Sequence, residues 1–220
     1  MEDLLDATVG ENAAWCAAVC RTHDIAGSDA DRVWASARRT PLLYPDAITL
    51  EPGRSPEAVL GRVDTSAGCS VKDSHADLDL GAHGFRVLLE GRWLTWPGVP
   101  ESDGWVAVRS AETFATWLAA WGGPDGVLVP ALLDDPSVSV LARYDGDLLV
   151  AGLIGHRADR VAGLSNAFGL VSAADWRAAV GAVQVAAPGL PVVGYESGDD
   201  LDPALDAGAR DLGPLRVWLR

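Results

Sequence analysis

The chain has 220 residues, 49% of them hydrophobic, a formal charge of −14 and 3 cysteines. Its length allows one large domain or two small ones, and its acidity argues against nucleic acid or an anionic membrane surface as partner, since both need clustered Lys and Arg. An acidic N-terminus without a basic and apolar leader pattern, the lack of an apolar run of bilayer length, and an odd cysteine count without a C-x-x-C pair lead us to expect a cytoplasmic protein.

Residues 3–20 read as a helix, with Val9, Ala13, Cys16 and Cys20 on one face at i, i+4, i+7 and i+11. Cys16 and Cys20 read as small buried residues, because no partner pair lies nearby. Short strands are expected at 32–37 and 47–51, and a helix at 55–63 with Ser55 as cap and Pro56 at its first position. Next come a strand at 69–72, a short acidic helix at 76–82 ended by Gly84, and a long strand at 85–93. Asp73, His75, Asp77, Asp79 and His83 crowd this stretch, but their spacing matches no ligand motif, and the carboxylates read as helix N-terminal charges meeting the macrodipole. The run P-G-V-P-E-S-D-G at 97–104 is the best linker in the chain, and a domain boundary is expected there.

A strand at 104–108 opens the second half, and Ser110 caps a helix carrying the stripe Phe114, Trp117, Leu118 and Trp121, which reads as core. Residues 127–135 read as a short apolar segment with a helical turn. Strands at 138–143 and 148–155 flank Asp145-Gly146, a pair that predicts a type I′ turn. After a polar turn at 157–160, a third strand at 161–168 feeds straight into a helix. Ser172 caps that helix, Asp175 stands three residues on, and Trp176, Val180 and Val183 form its apolar face. A buried strand at 190–195, a short helix at 201–207 and a strand at 214–219 complete the chain. Residues 70–93 and 192–218 echo each other: each runs strand, acidic loop, helix, glycine, then an Arg- and Trp-bearing strand.

From Gly104 onward the order β-α-(short helix)-β-β-β-α-β-α-β and the closing V-V-G-Y-E-S-G-D-D-L-D-P-A-L-D-A-G-A-R resemble the GNAT family, the acyl-CoA-dependent N-acyltransferases. The likeness implies an α/β (α+β) fold: a mixed, mostly antiparallel sheet flanked by helices, with a degenerate half at 1–97, a linker at 98–104 and a GNAT-like domain at 105–220. It also implies acetyl-CoA as cofactor. The strand at 161–168 would splay from the one at 190–195, and Ser165, Asn166, Ala167 and Phe168 would line the pantetheine arm. Gly169, Leu170, Val171 and Ser172 would meet the pyrophosphate at a helix N-terminus.

The chain departs from the family pattern at that loop. F-G-L-V-S-A-A-D has one glycine and no arginine, and it brings the anion Asp175 to a place where the ligand is also an anion. Arg157, Arg160 and Arg177 are the cations considered as compensation. The tyrosine that the family often uses as general acid is replaced by Ala204. Tyr195 as acid and Glu196 as base could substitute for it, or Glu196 could belong to an acidic loop capping the next helix. His156 is another candidate base, with a solvated strand-end histidine as the alternative. The resemblance thus implies an N-acetyltransferase acting on a small-molecule or peptide amine. The alternative is an inactive GNAT-like binding or scaffold protein. A hydrolase lacks support because no G-x-S-x-G elbow is present.

Overall fold

The computed structural model describes residues 2–96, 98 and 104–220. Apart from Gly98 and Gly104, the linker read at 97–104 lies outside the described residues. The chain forms two compact units: Met1–Trp93 with Leu212–Arg220, and Leu94–Asp211. No helix among the described residues is long and apolar enough to cross a membrane.

In the first unit, α1 (Glu2–Arg21) buries Val9, Ala13, Cys16 and Cys20, the face that the helical spacing marks. Burial pushes the Cys16 thiol up to about 11 and Cys20 to about 12, so both are inert apolar filling at neutral pH. Strands β1 (Gly27–Ala30) and β2 (Val33–Ser36) form a hairpin that the sequence reading lacks. Its turn places Asp31 and Arg32 at φ 52° and 58°, a conformation usually marked by Asn or Gly, so no turn signal was visible. The sequence expectation of a strand at 32–37 is therefore trimmed, with Arg32 in the turn.

Strand β3 (Ala47–Thr49) precedes α2 (Pro56–Leu60), where Ser55 Oγ accepts the Ala58 N–H at 3.2 Å. The helix is one turn shorter than its expected span of 55–63. Strand β4 (Ser70–Asp73) lies parallel to β3.

The acidic helix expected at 76–82 does not form. The fully buried Asp73 carboxylate accepts the N–H groups of His75, Asp77 and Leu78, and Ala76 sits at φ 53°. A side chain thus supplies the acceptors that helix carbonyls would otherwise provide. Asp77 and Asp79 likewise accept the Gly53 and Gly81 N–H groups, so these carboxylates shape loops and do not face a helix dipole. Only a single 3-10 turn remains, Gly81–His83, ended by Gly84 at φ 81°. No group of three or more His, Cys, Asp or Glu side chains among the described residues could hold a metal ion. Strand β5 (Arg86–Trp96) follows.

The second unit starts with β6 (Trp105–Ala107) and α3 (Ala111–Trp121), whose N-terminus is closed by reciprocal Ser110 and Thr113 hydrogen bonds. Phe114 and Trp117 are fully buried, and Trp117 Nε1 donates to the Leu141 carbonyl at 2.9 Å. A 3-10 turn at Pro130–Asp134 precedes the meander of β7 (Val138–Asp145), β8 (Leu148–Arg157) and β9 (Ala162–Phe168). The β7–β8 turn is shifted by one residue from the expected Asp145-Gly146. Asp145 pairs with Leu148, so Gly146 (φ 58°) and Asp147 are the central residues. Only the first needs positive φ, the type II′ pattern. Helix α4 (Ala173–Ala186), β10 (Val192–Glu196), α5 (Leu201–Asp206) and β11 (Arg210–Leu219) follow.

Within the first unit the strand order is β1-β2-β3-β4-β11-β5, and within the second it is β5-β10-β9-β8-β7-β6, with Leu94–Trp96 as the β5 contribution. Most pairs are antiparallel. Strands β3–β4 and β9–β10 are parallel, one such pair in each unit.

Val33, Val71, Leu80, Phe85 and Trp218 centre the first core. Leu94, Leu153, Leu164, Trp176, Val180 and Val192 centre the second. There Trp96 and Trp176 stack at 5.5 Å and 8°. Each such ring removes on the order of 200 Å² from water, roughly 5 kcal/mol before entropy costs, which fixes α4 on its sheet.

Candidate functional site

The parallel pairing of β9 with β10 is brief. Ala162 and Gly163 pair with Val192 and Val193, and no ladder continues beyond them. Gly194 is the parting point: a Cβ there would stand 2.8 Å from the Leu164 carbonyl, so only glycine allows this approach before the strands diverge. On its other side β9 is bulged. Ile154 faces Ser165 and Gly152 faces Phe168, so Asn166 and Ala167 together oppose Leu153. Asn166 takes φ 50°. A bulge bends the strand and frees backbone groups from the ladder. The stretches 164–168 and 194–196 thus lie beyond the shared ladder, and a gap there would have half-buried Ser165, Asn166, Ala167 and Phe168 on one side and Tyr195 and Glu196 on the other.

The arm residues differ in role. Phe168 meets Trp117 edge-on at 5.2 Å and lies over Gly152, where any side chain would overlap its ring. It anchors β9 to the meander. The Ser165 hydroxyl is shielded from solvent and has no hydrogen-bond partner among the described residues.

The loop that follows is built tightly. Gly169 has φ 72°, and a Cβ there would stand 2.1 Å from the Val150 carbonyl. Leu170 plugs the core, while Val171 is 84% exposed. Ser172 caps α4: its Oγ accepts the Asp175 N–H at 3.2 Å and donates to Asp175 Oδ2 at 2.7 Å. The N–H groups of Ala173 and Ala174 make no hydrogen bond among the described residues. This is the donor pair that a helix N-terminus offers to an anion.

Asp175 also stands at that N-terminus, but its charge is answered. Arg143 Nη2 reaches its Oδ1 at 2.7 Å, and the guanidinium lies 5.8 Å from the centre of the Trp105 ring. Burial works against ionisation of Asp175, yet the Ser172 and Arg143 hydrogen bonds hold its carboxyl below the usual range. Sequence reasoning missed Arg143, which arrives from β7, 32 residues away, with nothing in the chain to signal the pairing. The cations it did consider are elsewhere. Arg157 pairs with Ala162 at the opposite end of β9 from Phe168, about 20 Å along the strand, and Arg160 lies just beyond it. Arg177 is half-buried on α4.

His156 is not a solvated strand-end residue. It is 5% exposed and lines a cavity of about 240 Å³ with Ser137, Ser139 and Val183. It lies level with Gly163, on the paired section of β9, not on the splayed one.

Glu196 ends β10 at the mouth of the gap. Burial pushes its carboxyl up to about 8, and the charge of Asp200 adds to the effect. Its carboxylate makes no hydrogen bond or ion pair among the described residues, and the following 3-10 turn and α5 have no side-chain cap, so it does not serve as one. The contrast with the first unit is direct. Asp73 ends β4 as Glu196 ends β10, but three backbone N–H groups hold its carboxylate in place. Tyr195 is half-buried beside Glu196. Ala204 is fully buried in the second core.

No family model matches the sequence, and no curated protein matches it. Solved structures do. A GCN5-related N-acetyltransferase from Kribbella flavida superposes with TM-score 0.63 at 15% identity, over 94% of each chain. A GNAT-family structure from Novosphingobium aromaticivorans gives TM-score 0.59 at 12% identity, over 96% of this chain and 97% of that one. A conserved protein of unknown function from Staphylococcus epidermidis gives 0.55 at 15%, over 70% and 73%. This chain has the GNAT fold over nearly its whole length.

Proposed function

We propose that this protein is an acyl-CoA-dependent N-acetyltransferase that acts on an amine, with the gap between β9 and β10 as its active site. The observation that carries the proposal is the coincidence, at one strand end, of a splayed parallel pair and a carboxyl with a pKa of about 8. A general base works best when its pKa lies near the operating pH, and Glu196 meets that condition with no partner among the described residues to release.

The residues present fit acetyl-CoA. The bulge sets Asn166 and Ala167 together opposite Leu153, and the Ala173 and Ala174 N–H groups, which make no hydrogen bond among the described residues, lie beside an Asp175 already paired with Arg143. Ser165 to Phe168 would hold the pantetheine arm, and the 169–172 loop with the α4 N-terminus would hold the pyrophosphate. Acetyl-CoA, when bound, supplies the acyl group as a thioester. Glu196 would take a proton from the ammonium form of the acceptor, leaving a nucleophilic amine. Tyr195 would give a proton to the departing thiolate. Most of the rate would come from holding the two reactants together in a gap walled by oriented backbone dipoles.

The first test is thermal unfolding with acetyl-CoA at about 1 mM. A ligand at about a hundred times its Kd stabilises by roughly 2.7 kcal/mol, a rise of a few degrees. A rise with acetyl-CoA and with CoA but not with adenosine, followed by acetyl transfer to an amine that Glu196→Gln slows by about 10²–10⁴, is the expected result. No shift at saturation would overturn the reading in favour of a GNAT-fold binding protein.

A further inference from the structure

The first unit contains a groove of about 390 Å³ between α1 and the β1–β2 hairpin, a volume typical of small-molecule sites. Its charge is unbalanced. Asp6 of α1, Asp29 of β1 and Glu51 line it against a single cation, Arg32, whose Nε is already committed to Glu51 at 2.8 Å. The Asp6 and Asp29 carboxylates make no hydrogen bond or ion pair among the described residues. Two carboxylates without a cationic partner among the described residues therefore line one apolar-floored space.

That floor is an indole. Trp34, 6% exposed, lies flat on Gly27, where a Cβ would stand 2.6 Å from the ring. The roof has a gap. Gly10 sits mid-helix with nothing within 4 Å of the position a Cβ would take. Glycine inside a helix costs about 1 kcal/mol relative to alanine, and no neighbour here requires it. What its missing side chain preserves is the open volume of the groove.

We propose that this groove binds a small organic ammonium with an apolar body, its cationic head between Asp6 and Asp29 and its body on the Trp34 indole. Carboxylates and an aromatic ring both favour a cation, and neither offers anything to an anion. The site is separate from the proposed acetyl-transfer centre, since all its lining residues belong to the first unit and Glu196 belongs to the second.

Titration calorimetry on the whole chain tests this, with phenethylammonium as probe and 2-phenylethanol and phenylacetate as neutral and anionic counterparts of similar shape. Phenethylammonium should bind once per chain, as well to Glu196→Gln as to the parent. The Asp6→Asn, Asp29→Asn double variant should bind about tenfold more weakly or worse. Gly10→Leu should lose binding while unfolding at no lower temperature, because leucine favours the helix. Four results would each overturn the proposal: no saturable binding up to about 10 mM, where even weak sites register; equal binding of the neutral or anionic compound; unchanged binding in Gly10→Leu; or binding that disappears in Glu196→Gln.

Discussion

Arg143 Nη2 lies 2.7 Å from Asp175 Oδ1 at the start of α4, so the carboxylate that would repel a pyrophosphate is paired before any ligand arrives. Asp175→Asn keeps a capping-size side chain, removes the negative charge and frees Arg143. It should tighten acetyl-CoA binding, by several-fold, as read by calorimetry. Arg143→Ala does the opposite: it leaves a partly buried carboxylate without its cation, weakens acetyl-CoA binding and costs on the order of 1–3 kcal/mol in chemical denaturation. Equal acetyl-CoA affinity in the two variants would show that the ligand does not approach this helix end.

The pH dependence of acetyl transfer should report Glu196. With its pKa at about 8, the carboxyl is largely protonated at pH 7 and cannot take a proton. The value of kcat/KM should therefore rise with pH and level off above about 8. In Glu196→Gln the residual rate should fall by about 10²–10⁴ and lose that inflection. A profile of unchanged shape in the variant would assign the base elsewhere.

The same group affects stability with a definite sign. Its folded pKa, about 8, exceeds the ordinary value of 4.5, so the folded state holds a proton that the unfolded chain releases. The favourable contribution is complete below about 4.5 and is lost as pH rises through about 8. Glu196→Gln should match the parent near pH 4 and be more stable near pH 9, by roughly 1–3 kcal/mol after allowance for the side chain's partial exposure. Pulse proteolysis or urea melts at the two pH values would show it.

The two glycines at the gap should differ in tolerance. Gly194→Ala places a methyl 2.8 Å from the Leu164 carbonyl, a clash that the splayed strands can absorb by parting slightly, costing about 1–2 kcal/mol. Gly169→Ala adds a positive φ of 72° to a 2.1 Å approach to the Val150 carbonyl, with the buried Leu170 holding the loop in place. It should cost clearly more, about 3 kcal/mol or above. Comparing melting temperatures ranks the pair.

What the sequence disclosed tracks how local each cause is. The α4 start was legible because Ser172 and Asp175 are three residues apart and act on each other. The meander was legible from its alternation and turn, although the turn type hung on a register shift at Arg143/Tyr144 that no pattern reveals. The helix expected at 76–82 failed because one buried carboxylate, Asp73, captured the N–H groups of His75, Asp77 and Leu78 at its start. Within the candidate site, Glu196 could be named from its place after a strand, but its pKa depends on burial, which is a property of the assembled fold. Arg143 could not be named at all, since its partner is 32 residues away.

Strand β11 runs beside β4 in the first unit, pairing Arg216 with Asp73 and Leu219 with Ser70, although the entire second unit separates them in sequence. During synthesis, then, the first unit has to wait. Residues 1–93 emerge with the β4 edge uncovered, and the strand that covers it is made only after the whole second unit. At about 5–20 residues per second that interval is on the order of ten seconds, during which a hydrogen-bonding strand edge is open to other chains. A nascent chain stalled or clipped before Leu212 would carry that edge permanently, so aggregation of such fragments is the expected cost of losing β11.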